Sequence, residues 1–422
     1  MSSLFTQSQS KSLLTLTSIG IAMLVIMSLI LPLEMIADEF SHLAQIALFK
    51  ASSYSTIPSL TMPPTYHLLV GEAAKALQID FFSGIRIVSS ALSFIAIILA
   101  WAYYKDQKSP FILLQSSQLF FSPLLWPFYW ILYTDIPSLI LTLLSLILFE
   151  KQRYTLSAFA CLISLFFRQH NIFWVLLIWL MAMEQTGCIK NLISIIHGSR
   201  KSFAQKSISA ISQCVTSSGI YVIPIICFLV FVYVNNGIAL GDRQAQHFSG
   251  IYPLQIFSCL FTLGLLLLPL HISNTGQILK YLKNHLWLPI LLGILFVIYM
   301  KTFKIEHAHN FQSDYFLRNW LLYFLDGHFW YKVAAFGLIA LSLLSLIVTP
   351  LRKPSYYWLY PVTLLALLPV SLIEQRYYIV PFTFLMLFRK PKSITTESIL
   401  LIWFIALSAL ITYGMSTMKF FI

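Results

Sequence analysis

Apolar runs recur from one end of the chain to the other, separated by short polar stretches, and this pattern limits the possible folds more than any other feature. They lie near 13–33, 85–103, 110–127, 129–149, 154–167, 171–183, 219–234, 254–270, 286–300, 331–349, 356–373, 377–388 and 398–416. A helix perpendicular to a bilayer needs about 20 residues to cross the hydrocarbon. The shorter runs must therefore tilt or extend into their flanking turns. Lipid offers no hydrogen bonds, so each crossing segment has to satisfy its own backbone, and helices do that within one run. The expectation is an all-α polytopic membrane protein of about 13 transmembrane helices, forming one domain over 1–422. Charged residues are only 10% of the chain, against about a quarter in soluble domains, so no water-soluble fold suits it. Lys11 precedes the first run and Glu34 follows it; the run is too long for a signal peptide and lacks a clear cleavage site, so it reads as the first helix.

Charge gives the orientation. Cytosolic loops are enriched in Lys and Arg. With a cytosolic N-terminus, the chain returns to the cytosol at 104–109, 150–153, 184–218, 271–285, 350–355 and 389–397. Together with Lys11 these segments hold sixteen basic and four acidic residues, leaving eleven of each elsewhere. The net charge of +12 is thereby explained by topology, and no nucleic-acid partner is expected. The outer face collects the loop 34–84, turns near 133–135 and 168–170, and the segments 235–253, 301–330 and 374–376. Cys161, Cys227 and Cys259 fall in apolar runs, Cys188 and Cys214 in a basic loop assigned to the cytosol. No zinc spacing exists and no disulfide is expected.

Most of the chemistry-bearing residues fall on the outer face. The first outer loop carries Asp38 and Glu39, with His42 four residues beyond Asp38 on the same helical face and Gln45 one turn further. Carboxylates beside an apolar wall suit a general base; they equally suit the interfacial end of a span. Arg168-Gln169-His170-Asn171 lies between two apolar runs. A charge at the bilayer centre costs at least ~2.5 kcal/mol, so this is a hairpin at the surface or a polar cavity, where Arg binds either phosphate or lipid headgroups. Tyr133 and Asp135, Asp242 and Arg243 near His247, and Glu374, Arg376 and Tyr377 complete the outer set. Glu306, His307 and His309 are too short a cluster to imply a metal, and none is expected. Carboxylates, Arg and His above a lipid-facing groove are what a membrane enzyme needs for a lipid-linked phosphate substrate. A transporter would keep its ionisable residues near the midplane.

These segments resemble, in order, the dolichyl-phosphate-glucose-dependent alpha-1,2-glucosyltransferases of the endoplasmic reticulum, which add the last glucose to the lipid-linked oligosaccharide. Asp38-Glu39-Phe40-Ser41-His42 with Gln45 is similar to that family's Asp-Glu-x-Phe-His-x-x-x-Gln. Leu132-Tyr133-Thr134-Asp135, Phe167-Arg168-Gln169-His170-Asn171-Ile172, Gly241-Asp242-Arg243 and Glu374 to Pro381 match four more motifs. The family's Trp-Asp-Pro is missing, Pro-Gly-Leu-Tyr appears as Pro63-Pro64-Thr65-Tyr66, and Asp-Asn-Arg-His-Tyr is blurred into His309-Asn310-Phe311-Gln312-Ser313.

The resemblance implies a GT-C type glycosyltransferase fold and an inverting transfer of glucose from dolichyl (polyprenyl) phosphate glucose to a lipid-linked oligosaccharide in protein N-glycosylation, without a cofactor. Asp38 or Glu39 would be the base. His42 and Gln45 would orient the acceptor or the acid; Arg168 and Arg376 would hold the donor phosphate. Gln169, Asn171 and Tyr377 would position sugar or phosphate oxygens, with Tyr133, Asp135, Asp242, Arg243 and Glu374 in the pocket wall. The protein would then be a multi-pass protein of the endoplasmic reticulum membrane with a luminal active site, or periplasmic in a prokaryote. Transfer of another polyprenyl-phosphate sugar, use of another acceptor, or lipid-sugar transport without catalysis are the alternatives.

Overall fold

The computed structural model describes residues 2–188, 218–241, 250–312 and 315–422, with side chains described from residue 11 on. Asp242, Arg243 and His247 fall outside them. Among the described residues the fold is helical, with only two isolated backbone bridges, Phe316 to Phe421 and Leu351 to Arg389.

The helices in chain order are α1 (Ser2–Ile30), α2 (Glu39–Lys50), α3 (Thr65–Ala76), α4 (Phe82–Asp106), α5 (Ile112–Phe120), α6 (Asp135–Glu150), α7 (Tyr154–Leu165), α8 (Ile172–Gln185) and α9 (Val222–Val234). They continue as α10 (Pro253–Leu266), α11 (Leu268–Asn284), α12 (Trp287–Thr302), α13 (Leu317–Gly327), α14 (Phe329–Val348), α15 (Leu359–Leu367), α16 (Ile379–Phe388) and α17 (Ile394–Ser416). Each of the apolar runs carries a helix. Among the described residues four helices are long and apolar enough to cross a membrane: Lys11–Ile30 within α1, α4, α14 and α17. The α10–α11 pair passes the same test as one unit but bends by 97°. The stretch 271–285, expected as a cytosolic loop, is thus most of a helix, restarted by Pro269 in the first turn, where proline costs nothing.

A second departure lies at 110–127, where one span was expected. α5 stops at Phe120 and the chain runs without α-helix to Thr134, past Pro123 and Pro127, which cannot continue an α-helix. Non-helical backbone at membrane depth is tolerated when buried in protein, and residues 122–139 are buried without interruption. This segment carries Tyr133 and Asp135 inward, where a straight helix would have left them at a rim. Cys188 corrects a third expectation: it is disulfide-bonded, while Cys161, Cys227 and Cys259 are free. The expectation was drawn from the compartment assigned to its loop and took no account of chain geometry.

The ends of the bundle sort as charge predicted. At one end Lys151 pairs with Asp106 at 3.0 Å, Lys353 with Glu150, and Arg389 with Glu397 at 2.6 Å. At the other, Arg376 meets Asp38 and Glu374, Arg318 meets Glu374, and Arg168 meets Asp135. None of these pairs joins a group of one assigned face to a group of the other.

Candidate active site

The site begins where α1 ends. Ala37 takes a left-handed conformation (φ 51°), turning the chain from the first span into α2. Its N–H donates to the Tyr315 hydroxyl at 3.0 Å, and the next N–H, of Asp38, to the Tyr133 hydroxyl at 3.0 Å. Two tyrosines from distant segments thus hold the backbone that presents Asp38.

The two adjacent acids have opposite environments. Glu39 is completely buried. Its carboxylate accepts from Ile36 N (2.8 Å), Leu132 N (2.9 Å) and Arg86 Nε (2.9 Å), and also pairs with Arg86 Nη2. Arg86 also donates to the Pro32 and Glu34 carbonyls. Glu39 therefore ties the first outer loop to α4 and to the 121–134 segment, and its oxygens are fully engaged. The Asp38 side chain is 53% exposed and accepts one side-chain hydrogen bond, from Arg376 Nη1 at 3.1 Å. Burial pushes its carboxyl up, but the Arg376 guanidinium, joined at acid pH by the protonated His42 ring, outweighs it and holds the group below its usual range.

Arg376 is the hub. Its Nε lies 2.7 Å from Glu374 Oε2, and the Tyr133 and Tyr377 rings each stand 5.9 Å from its guanidinium carbon. Glu374 in turn meets Arg318 at 3.8 Å. Arg168, in an extended conformation at the break between α7 and the 169–171 turn, pairs with buried Asp135. The His170 ring lies tilted against Tyr377 with centroids 6.0 Å apart. The structure therefore brings together Asp38, Tyr133, Asp135, Arg168, Glu374, Arg376 and Tyr377.

The remaining polar residues of the motifs hold the scaffold. Gln45 donates to Ser55 O (2.9 Å) and accepts from Ile57 N (2.8 Å), pinning the 51–58 loop on α2. Asn171 donates to Ser138 Oγ and Ser164 O, both at 2.8 Å, joining α6 to the C-terminal end of α7. Gln169 donates to Thr61 O at 3.0 Å, the same carbonyl that accepts Leu240 N at 3.0 Å. Gly241, at φ 68°, follows directly, so the described part of the Gly-Asp-Arg motif abuts the Arg168 turn.

His42 lies buried beside Asp38, its Nδ1 2.8 Å from Nε2 of His67 on α3. Burial pushes the His42 imidazole down to about 4 and His67 down as well. Both rings are neutral near pH 7, so one donates to the other. Arg86, His67, Tyr315 and Arg318 were not singled out in the sequence. Only Arg86 carries a local signal, as a charge one residue inside an apolar run.

Fold and site together define a polytopic helical membrane protein with an ionisable cleft gathered at one end of its bundle. A family model described as the DIE2/ALG10 family matches residues 33–387, and the chain belongs to that family. A Candida albicans relative named Dol-P-Glc:Glc(2)Man(9)GlcNAc(2)-PP-Dol alpha-1,2-glucosyltransferase is 27% identical over 66% of this chain and 62% of its own length. Relatives of the same name from Kluyveromyces lactis (25% identical, 83% of this chain and 72% of theirs) and Arabidopsis thaliana (24%, 75% and 73%) also match. The chain thus covers less than two thirds of the Candida relative. No solved structure matches it.

Proposed function

We propose that this chain is an inverting glucosyltransferase that moves glucose from dolichyl (polyprenyl) phosphate glucose to a lipid-linked oligosaccharide, forming an alpha-1,2 bond, with Asp38 as base. The names of its relatives supply the donor and acceptor. The observation that carries the reading is the contrast between Asp38, open to the cleft and hydrogen-bonded at one oxygen by Arg376, and Glu39, buried with every acceptor position used.

The acceptor 2-hydroxyl gives its proton to Asp38 as its oxygen bonds to the glucose anomeric carbon. The bond from that carbon to the donor oxygen breaks, and its electron pair leaves on the prenyl phosphate. Attack from the opposite side converts a beta-linked donor into an alpha-linked product. One negative charge disappears at Asp38 as one appears on the phosphate. Arg376 is placed to answer both: once Asp38 is protonated, the guanidinium hydrogen bond is released for the leaving oxygen, the kind of fixed-charge stabilisation that supplies much of catalysis. A phosphate leaves as a stable anion, so no general acid is needed. Tyr133 and Tyr377 flank the guanidinium and limit its swing. Arg168, held by Asp135, adds positive charge to the pocket. The basic segments gathered at the far end fit a cytosolic face, which supports a luminal position for the Asp38 cleft.

Purified protein, synthetic prenyl-phosphate glucose carrying labelled glucose, and a lipid-linked glycan acceptor test this directly. Labelled glycan and released prenyl phosphate are expected from the wild type and not from Asp38→Asn. Intact donor moved between leaflets without transfer would make the chain a transporter and overturn the assignment.

A further inference from the structure

An apolar cavity of about 460 Å³ opens along the bundle between α10, α13, α17 and the 420–422 tail. Phe257, Phe261, Leu321, Trp403 and Leu407 form its walls, and Leu265, Trp320 and Leu410 stand exposed at its rim. Arg318 is the charged residue of its lining, and Gln375, Ser258, Thr262, Tyr299 and Tyr378 add polar groups.

Arg318 is 95% buried yet poorly bonded. Its Nε has no hydrogen-bond partner. Its Nη1 reaches Ile422 O only at 3.4 Å and Glu374 Oε1 only at 3.8 Å, both longer than the 2.7–3.2 Å of ordinary N–H···O bonds. The Phe316 ring, 4.0 Å away, covers one face of the guanidinium. A buried guanidinium with spare donors is costly, and an anion at the head of the cavity would relieve that cost. Gln375 Oε1 is buried there without a partner as well, and accepts hydroxyl donors. A second cavity of about 550 Å³, walled by Ile256, Leu263, Leu295, Phe336 and Leu364, has no charged residue in its lining and suits bulk lipid.

From the groove head, Arg318 leads to Glu374 at 3.8 Å, Glu374 to Arg376 at 2.7 Å, and Arg376 to Asp38 at 3.1 Å. We propose that the α10–α13–α17 groove seats the isoprenoid chain of a polyprenyl-phosphate donor, with Arg318 as its phosphate ligand and Gln375 accepting a hydroxyl of the attached sugar. This rests on the transferase reading of the Asp38 site. Glu374 spaces the two arginines so that the phosphate lies within reach of Arg376 as it leaves. The apolar walls give the chain length preference, and the guanidinium gives the charge preference.

Binding separates this proposal from the activity. Wild type, Arg318→Gln, Arg318→Lys and the groove-filling Leu407→Trp are titrated in nanodiscs with a long-chain polyprenyl phosphate, a short-chain prenyl phosphate, the matching uncharged polyprenol, and phosphatidic acid. Arg318→Gln should weaken polyprenyl phosphate at least tenfold while leaving polyprenol unchanged, and Arg318→Lys should recover part of the loss. Leu407→Trp, which leaves the arginine intact, should weaken both isoprenoids and not a short-chain prenyl phosphate. Unchanged affinity for polyprenyl phosphate in both Arg318→Gln and Leu407→Trp overturns the groove assignment, even where the wild type transfers glucose. Equal Arg318 dependence for phosphatidic acid makes the site a headgroup site and overturns the isoprenoid part. Groove-dependent binding without any glucose transfer leaves the groove standing and removes the activity instead.

Discussion

Arg376 Nη1 donates to Asp38 Oδ2 at 3.1 Å, joining the start of the first outer helix to a turn 338 residues further along the chain. The bond fixes the distance between the proposed base and the cation proposed to answer the leaving phosphate; the charge lost at Asp38 is the charge gained by that phosphate. It also makes Asp38 a weak base while the bond stands, and in the proposed reaction protonation of Asp38 frees the guanidinium for the leaving phosphate.

Replacing Asp38 with Asn should cut glucose transfer by at least about 100-fold, the usual contribution of a positioned base, while stability changes by no more than ~1 kcal/mol, because Asp38 is half open to solvent and the mostly buried Arg376 keeps Glu374 as its counter-charge. Labelled-glucose transfer and thermal unfolding of the same preparation check both halves. A variant that transfers at a third of the wild-type rate would remove Asp38 from the chemistry.

Glu39→Gln should do the reverse. Breaking a buried ion pair by removing one partner costs about 3–5 kcal/mol, because Arg86 is left charged and uncompensated. The expected outcome is a lower melting temperature and less folded protein in membranes, with activity falling in proportion to the folded fraction. A Glu39→Gln protein that melts like wild type and yet transfers nothing would exchange the roles of the two acids.

Much of the architecture could be read from hydropathy, because lipid exposure forces helices and charge sorts the ends. The 121–134 segment could not: its residues are as apolar as a span, and only the burial supplied by α4, α6 and α17 makes a non-helical path affordable. The acids, Arg168 and Arg376 stood out as ionisable groups beside apolar runs, but which group acts and which supports depends on contacts far apart in sequence. Gln45 and Asn171 look like ligands in a motif and turn out to bond backbone and a neighbouring serine, as buried amides commonly must. His67 and Arg318 carry no local pattern at all; they become visible only when α3 meets α2 and when α13 meets the groove.

Removing the Arg376 charge should move the acid limb of the pH–rate profile upward. Arg376 is the largest influence lowering the Asp38 carboxyl, against the upward push of burial. With it in place the base form persists to a pH below the ordinary carboxylate range. In Arg376→Gln the burial effect is opposed only by weaker charges, so Asp38 takes up its proton at higher pH and activity is lost sooner on acidification. kcat/KM measured with a soluble short-chain donor from pH 4 to 8 reads this as a shifted limb, separate from the overall loss of rate. An unmoved limb would show that the titrating base is another group.

Gly241 tests how the outer loops are held together. At φ 68° it occupies a conformation that side chains disfavour by roughly 1–2 kcal/mol, and a Cβ there would stand 2.2 Å from Pro58 O and 2.7 Å from Leu60 O. Both are backbone atoms of the stretch whose Thr61 carbonyl accepts Leu240 N and Gln169 Nε2, so they cannot yield without loosening the Arg168 turn. Gly241→Ala should therefore lower both the melting temperature and the transfer rate. Gly241→Asn separates the two causes: asparagine tolerates left-handed backbone but brings the same Cβ. If contact with Pro58 is what matters, the Asn variant will be as impaired as the Ala variant; near wild-type behaviour in Asn would mean that backbone conformation alone accounts for the glycine.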